Sequence, residues 1–181
     1  MQDYFKFNSS EIFKPHSPES FEQVCLKLFQ FQYSNIPVYQ DFVRALSIKP
    51  EAVLHLKDIP FMPIEFFKDF EIIAPDQNSE IIFQSSGTMG ISKSRHMVQD
   101  ISVYEASFMN TFELFYGPVT NYVILALLPS YMENGESSLV YMADQLIQRS
   151  HDANSGFYLN DYPSLIKKLH ALKGSSKKVL L

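Results

Sequence analysis

Between Phe83 and Lys93 the chain reads FQSSGTMGISK, and here residue types suited to chemistry outnumber those suited to packing. Ser85, Ser86 and Thr88 carry hydroxyls, Gly87 and Gly90 let the backbone turn with its N–H groups facing inward, and Lys93 supplies a full positive charge. Together these groups can cradle a polyphosphate, because charge-assisted hydrogen bonds from hydroxyl, amide and ammonium donors are what phosphate oxygens accept. A flexible surface turn has the same composition and stands as the alternative reading. Spacing excludes three related motifs. A Walker A loop needs Gly immediately before its Lys, and Ser92 stands there, which sets a P-loop phosphotransferase aside. A dinucleotide fingerprint needs three glycines where only Gly87 and Gly90 occur, and the G-x-S-x-G nucleophile elbow is absent from the chain.

The elements around this stretch must hold it. Ile81 to Gln84 reads as a short buried strand running into it, and Arg95 to Gln99 as a strand leaving it. Upstream, Ser17-Pro18-Glu19 is an N-cap signal for a helix with Phe21, Val24, Cys25, Leu28 and Phe29 on one stripe, and Pro37 opens a second helix carrying Tyr39, Phe42, Val43 and Leu46. Glu71 to Ala74 is a further strand candidate, closed by the turn signal Pro75-Asp76-Gln77-Asn78. Downstream, Asp100 caps a helix with Ile101, Tyr104, Phe108, Phe112 and Phe115 on one face, stopped by Gly117-Pro118. The run Tyr122 to Leu128 suits a strand buried on both faces of a parallel sheet. A helix capped by Ser137, a short strand over 156–159, a helix after Asp161 with Gly174 as its stop, and an apolar strand over 179–181 complete the series. The expected class is therefore α/β: an N-terminal helical layer over residues 1–49, then alternating strands and helices around a mainly parallel sheet over residues 50–181. A chain ending on an apolar strand reads as cut within a βαβ series, or as a domain that finishes on a short strand.

Composition narrows the partners. With 181 residues, 46% of them hydrophobic and 14% aromatic, the chain can bury a core, and its net charge of −5 argues against a broad nucleic-acid footprint. No apolar run reaches the roughly 20 residues of a membrane helix, and the first residues lack a secretory pattern, so a cytoplasmic location is expected. Cys25, the one cysteine, falls on an apolar helical stripe and reads as an inert thiol. The five histidines have no ligand-like spacing, so no metal ligand set is assigned.

The order S-S-G-T-x-G followed three residues later by Lys resembles the signature loop of the adenylate-forming superfamily. The stretches SVYEASFMNTFELFYG, YVILALLPSY, NGESSLVYMAD and GFYLND are similar to its acyl-protein synthetase (LuxE-type) branch, so the resemblance covers roughly residues 50–181. It implies an incomplete adenylate-forming large domain that uses ATP and Mg2+ to activate a carboxylic or fatty acid as acyl-adenylate, then passes the acyl group to a thiol or protein acceptor. Residue by residue, it implies that Ser85, Ser86, Gly87, Thr88, Gly90 and Lys93 grip the phosphates, with Lys93 also catalytic in neutralising the departing pyrophosphate. Met89 stands where a second Thr or Ser is usual and Ser92 where Pro is common; one missing hydroxyl costs about 1 kcal/mol if its bond goes unreplaced.

Other positions follow from the same likeness. Tyr131 is a candidate for the acyl pocket, in a segment where Met132 replaces the usual His, and simple aromatic packing over a strand end is the alternative. Arg95 and His96 stand close enough in sequence to approach phosphate, against the plainer reading of a solvated strand edge. The family's adenine, ribose and lid motifs would fall beyond residue 181, as would its acyl-accepting cysteine, whose place Cys25 does not occupy. The alternative function is a non-catalytic phosphate- or nucleotide-binding protein, or a subunit supplying half of a composite site, with a homo-oligomer or partner subunit expected.

Overall fold

The computed structural model describes residues 12–14, 17–75, 77–85, 93–130 and 134–181. It is a mixed α/β chain, with helices first and then strands and helices. The described residues divide into two compact units between Val103 and Tyr104.

In the first unit, helix α1 (Pro18–Asn35) starts at Ser17, whose Oγ accepts from the Ser20 N–H at 3.3 Å, and α2 (Pro37–Ala45) follows after Ile36. Phe29, Tyr39, Val43 and Val53 form the buried cluster between these helices and the segment that follows them. Tyr39 donates its hydroxyl proton to the Pro60 carbonyl at 2.8 Å, and burial pushes its pKa up to about 12. This bond ties the irregular stretch after α2 to the helices. Phe21, expected on the buried stripe, is instead 52% exposed, because the first turn of α1 reaches past the cluster centred on Phe29.

Two short 3-10 turns (Pro50–Ala52 and Leu56–Asp58) and the one-turn helix α3 (Phe66–Asp69) lead to the strands. Residues 71–74 make no ladder, so the strand expected there does not form; Ala74 is buried, and its carbonyl accepts from the Gln77 N–H in the expected turn. Strands β1 (Ile81–Gln84) and β2 (Arg95–Val98) pair antiparallel, Ile81 opposite Val98 and Gln84 opposite Arg95. Phe83 and Val98 are their buried residues.

Helix α4 (Ile101–Tyr116) begins at Asp100, whose carboxylate accepts from the Ser102 N–H at 2.9 Å, while the Glu80 carboxylate accepts from the Ile101 N–H at 2.8 Å. Two of the N–H groups that a helix start leaves unpaired are thus satisfied. In the second unit Phe108 and Phe112 of α4 are buried, whereas Phe115 is 74% exposed, contrary to the expected stripe. Phe108 and Phe112 are the buried pair, flanked by half-buried Tyr104, and from residue 113 to Tyr116 the last turn of α4 stands beyond the core and faces water.

Strand β3 (Tyr122–Ala126) is buried at every position and is two residues shorter than expected; Leu127 is already 40% exposed. It is the middle strand of a parallel three-stranded sheet in the order β4-β3-β5, with β4 at Gly156–Phe157 and β5 at Lys178–Leu180. Alternation sorts its two faces. Tyr122 and Ile124 pack with Phe108 and Phe112 of α4 and Leu146 of α5 (Ser138–Ser150), while Val123 and Leu125 pack with Tyr158 and with Leu165 of α6 (Tyr162–Ala171). A right-handed crossover that moves in opposite directions along a sheet must use opposite faces. Placing α5 and α6 on opposite faces of β3 lets β4 form on one side of it and β5 on the other.

Candidate functional site

The span from Ser85 to Ser94 is clamped at its base. The Ser85 N–H donates to the Ser94 carbonyl at 3.1 Å, and the Ser94 N–H donates to Ser85 Oγ at 3.0 Å. Both bonds continue the β1–β2 register by one residue beyond Gln84 and Arg95. The eight residues between these serines are therefore a connection between two antiparallel strands whose ends are held together by backbone and side chain at once. A hydroxyl has one proton and two acceptor sites. By accepting from Ser94, Ser85 Oγ is oriented while its proton remains available, with no acceptor for it among the described residues.

Lys93 lies on the same connection, exposed, and its ammonium has no carboxylate partner among the described residues. Ser86, Gly87, Thr88 and Gly90, and the pocket candidate Tyr131, lie outside the described residues. Of the expected cradle, then, Ser85 and Lys93 are placed, at opposite ends of one stretch of chain.

The neighbouring charges are already engaged. Arg95 Nη1 donates to the Glu71 carboxylate at 3.0 Å, both side chains standing in solvent. His96 is exposed as a residue, yet its ring stands edge-on to Phe67 with centroids 5.6 Å apart, and desolvation lowers its pKa below the ordinary value. A neutral imidazole and a paired guanidinium leave Lys93 as the unpaired cation beside the Ser85 clamp among the described residues. Among those residues no group of three or more His, Cys, Asp or Glu side chains could hold a metal ion, and no helix is long and apolar enough to cross a membrane.

Sequence reasoning missed Ser94 and Glu71. Ser94 could have been found by pairing the two strands on either side of the loop, since a register with Gln84 opposite Arg95 puts Ser85 opposite Ser94. Glu71 carried no such signal, because it lies 24 residues before Arg95 in a stretch without regular structure. Cys25 is half-buried; burial, and then the nearby Glu22 carboxylate, raise the pKa of its thiol, which keeps it protonated near neutrality.

The chain matches no family model, no curated protein and no solved structure.

Proposed function

We propose that this chain forms the pyrophosphate-gripping part of an ATP-dependent acyl-activating ligase of the acyl-protein synthetase type. The observation that supports the reading most is the clamp at Ser85 and Ser94, which closes a connection of sequence SGTMGISK between two antiparallel strands, with Lys93 at its end lacking a carboxylate partner among the described residues. Such a connection can present hydroxyl and N–H donors inward while its base stays fixed, and donors held in place before the reaction need no reorganisation when charge develops. In this reading the Ser85 hydroxyl donates to a phosphate oxygen, and Lys93 offsets the charge that gathers on pyrophosphate as a carboxylate attacks the α-phosphate. Mg2+ would arrive on the phosphates of ATP and retain several waters, as that ion commonly does.

The test uses the whole chain. Pyrophosphate binding is measured by calorimetry, and exchange of labelled pyrophosphate into ATP is followed with and without a carboxylic acid. Binding by the parent chain, acid-dependent exchange, and a loss of about 100-fold in exchange in Lys93→Ala support the reading. Exchange indifferent to the acid, or a Lys93→Ala variant equal to the parent, overturns it. Binding without exchange points to a non-catalytic phosphate-binding protein.

A further inference from the structure

Charge is divided unevenly along the chain. All 20 acidic residues precede Tyr162, whereas five of the 15 Lys and Arg residues follow it, at Lys167, Lys168, Lys173, Lys177 and Lys178. Three of the five are engaged: Lys168 Nζ donates to the Ala153 carbonyl at 3.2 Å, Lys177 pairs with Asp152, and Lys178 stands over the Tyr122 ring. Lys167 and Lys173 are exposed and have no ion-pair partner among the described residues.

These two lysines border a bare face of α6. Leu165 and Leu172, seven residues apart, form the side that packs with Val123, Leu125 and Tyr158. Tyr162, Ile166 and Leu169 follow the i, i+4, i+7 spacing of a second stripe on the solvent side, where Tyr162 is 57% and Ile166 55% exposed. Single exposed apolar side chains are ordinary, but three in one row with cations beside them and no acid after Asp161 give a partner two properties to match.

The first unit offers the complement. Phe61 is 77% and Ile64 76% exposed, and Ile64 lies in consecutive turns leading into α3, the Phe66 N–H donating to the Pro63 carbonyl and the Phe67 N–H to the Ile64 carbonyl. Glu65, just before α3, and Asp69, its last residue, are four apart and therefore neighbours on the surface; both are exposed, with no ion-pair partner among the described residues. Lys68 is the one cation between Phe61 and Glu71, against the carboxylates of Glu65, Asp69 and Glu71. An anionic lipid surface would suit α6 alone, but the residues before Tyr162 carry every acidic side chain against the remaining ten Lys and Arg, and such a surface would repel them.

We propose that the solvent face of α6 docks on the exposed 61–69 surface of a second copy of this chain, with Lys167 and Lys173 facing Glu65 and Asp69. The two surfaces differ, so the contact is head-to-tail and repeats unless it closes into a ring. Few side chains take part, which makes the association weak and sensitive to salt. The contact goes beyond the acyl-activating reading, since it needs neither nucleotide nor the 85–93 stretch.

Sedimentation velocity of the whole chain, at rising protein concentration, measures the association. The mean mass should rise with concentration, and raising the ionic strength from about 0.1 M to about 1 M should weaken the association about fivefold, as the screening length falls from about 10 Å to about 3 Å. Lys167→Glu with Lys173→Glu should weaken it about tenfold, as should Glu65→Lys with Asp69→Lys, and a chain carrying all four changes should recover most of the loss. These positions are exposed, so the circular dichroism spectrum of each variant should match that of the parent. A chain monomeric at every concentration, association that ignores salt, unchanged pair variants, or no recovery in the fourfold variant overturns the proposal. Binding to phosphatidylserine vesicles without self-association also overturns it, because a lipid surface would then be the partner.

Discussion

The Ser94 N–H donates to Ser85 Oγ across the base of the hydroxyl-rich connection, 3.0 Å from donor to acceptor. This bond joins residues nine apart in sequence, so it holds the two ends of the connection together without belonging to either strand. Ser85→Ala removes it and the hydroxyl proton together. The bond is solvent-exposed, so the loss in stability should be about 1 kcal/mol or less, while pyrophosphate affinity should fall severalfold. Ser85→Thr keeps the hydroxyl and should retain most of the affinity. Calorimetry on the three proteins checks both statements.

Acid stability should depend on Asp152. Its carboxylate accepts from the Asn154 N–H at 2.9 Å and pairs with Lys177 at 2.9 Å, and these contacts, the backbone bond first, lower its pKa below the ordinary 3.8. A carboxylate with a depressed folded pKa adds stability that is fully present above the unfolded value and is lost as the pH falls through the folded one. Thermal midpoints should therefore drop between pH 4 and pH 2 more steeply in the parent than in Asp152→Asn. Parallel curves for the two proteins would remove Asp152 from the account.

Two helix ends in the second unit make opposite demands on the same backbone conformation. Gly117 follows α4 at φ +80°, donating its N–H to the Glu113 carbonyl at 2.9 Å, with open space where a Cβ would lie. His151 ends α5 at φ +49° with a side chain to carry. Gly117→Ala should cost about 1 kcal/mol through backbone strain alone, and His151→Gly should be neutral or stabilise by a similar amount. Urea unfolding of each variant measures the sign.

The middle strand carries the packing of the second unit. Leu125 is fully buried against Tyr158 and Leu165, so Leu125→Ala should destabilise by about 3 kcal/mol, the usual range for a buried leucine. Leu127→Ala, one residue past the strand and 40% exposed, should cost under about 1 kcal/mol. A comparable loss from both would mean that the burial of β3 does not set its energetics.

Glu105 joins α4 to α5 by accepting from the Tyr141 hydroxyl and from Arg149 Nη2, each at 2.6 Å. Both charged side chains keep some solvent contact, which limits the worth of the pair. Glu105→Gln should lower the thermal midpoint by a few degrees, equivalent to about 1 kcal/mol, and a double-mutant cycle with Arg149→Ala isolates the ionic part.

Local signals were read from the sequence correctly where one residue decides one structural event. Ser17 and Ser137 each accept from the N–H three residues on, as their types and positions predicted, and Gly117 and Gly174 take the positive φ their places required. Non-local pairing was not legible. Nothing adjacent to Glu71 marks it for Arg95, and the antiparallel pairing of β1 with β2 depends on two segments meeting across a loop. The exposure of Phe115 was missed for a related reason, since a run of apolar residues around a helix does not say where its neighbours stop. Of the loop residues singled out, Ser85 is bonded to Ser94, and Lys93 is exposed.

The order β4-β3-β5 carries one more consequence. The chain leaves β3 for one flank, then returns past it to the other, so its winding reverses about that strand. In parallel sheets such a reversal parts the connecting loops and opens a crevice at the carboxyl ends of the two strands between which it falls. Here those ends belong to β3 and β5, and the residues that leave β3 at that point are Leu127 to Ser130. In the second unit the winding therefore reverses between β3 and β5.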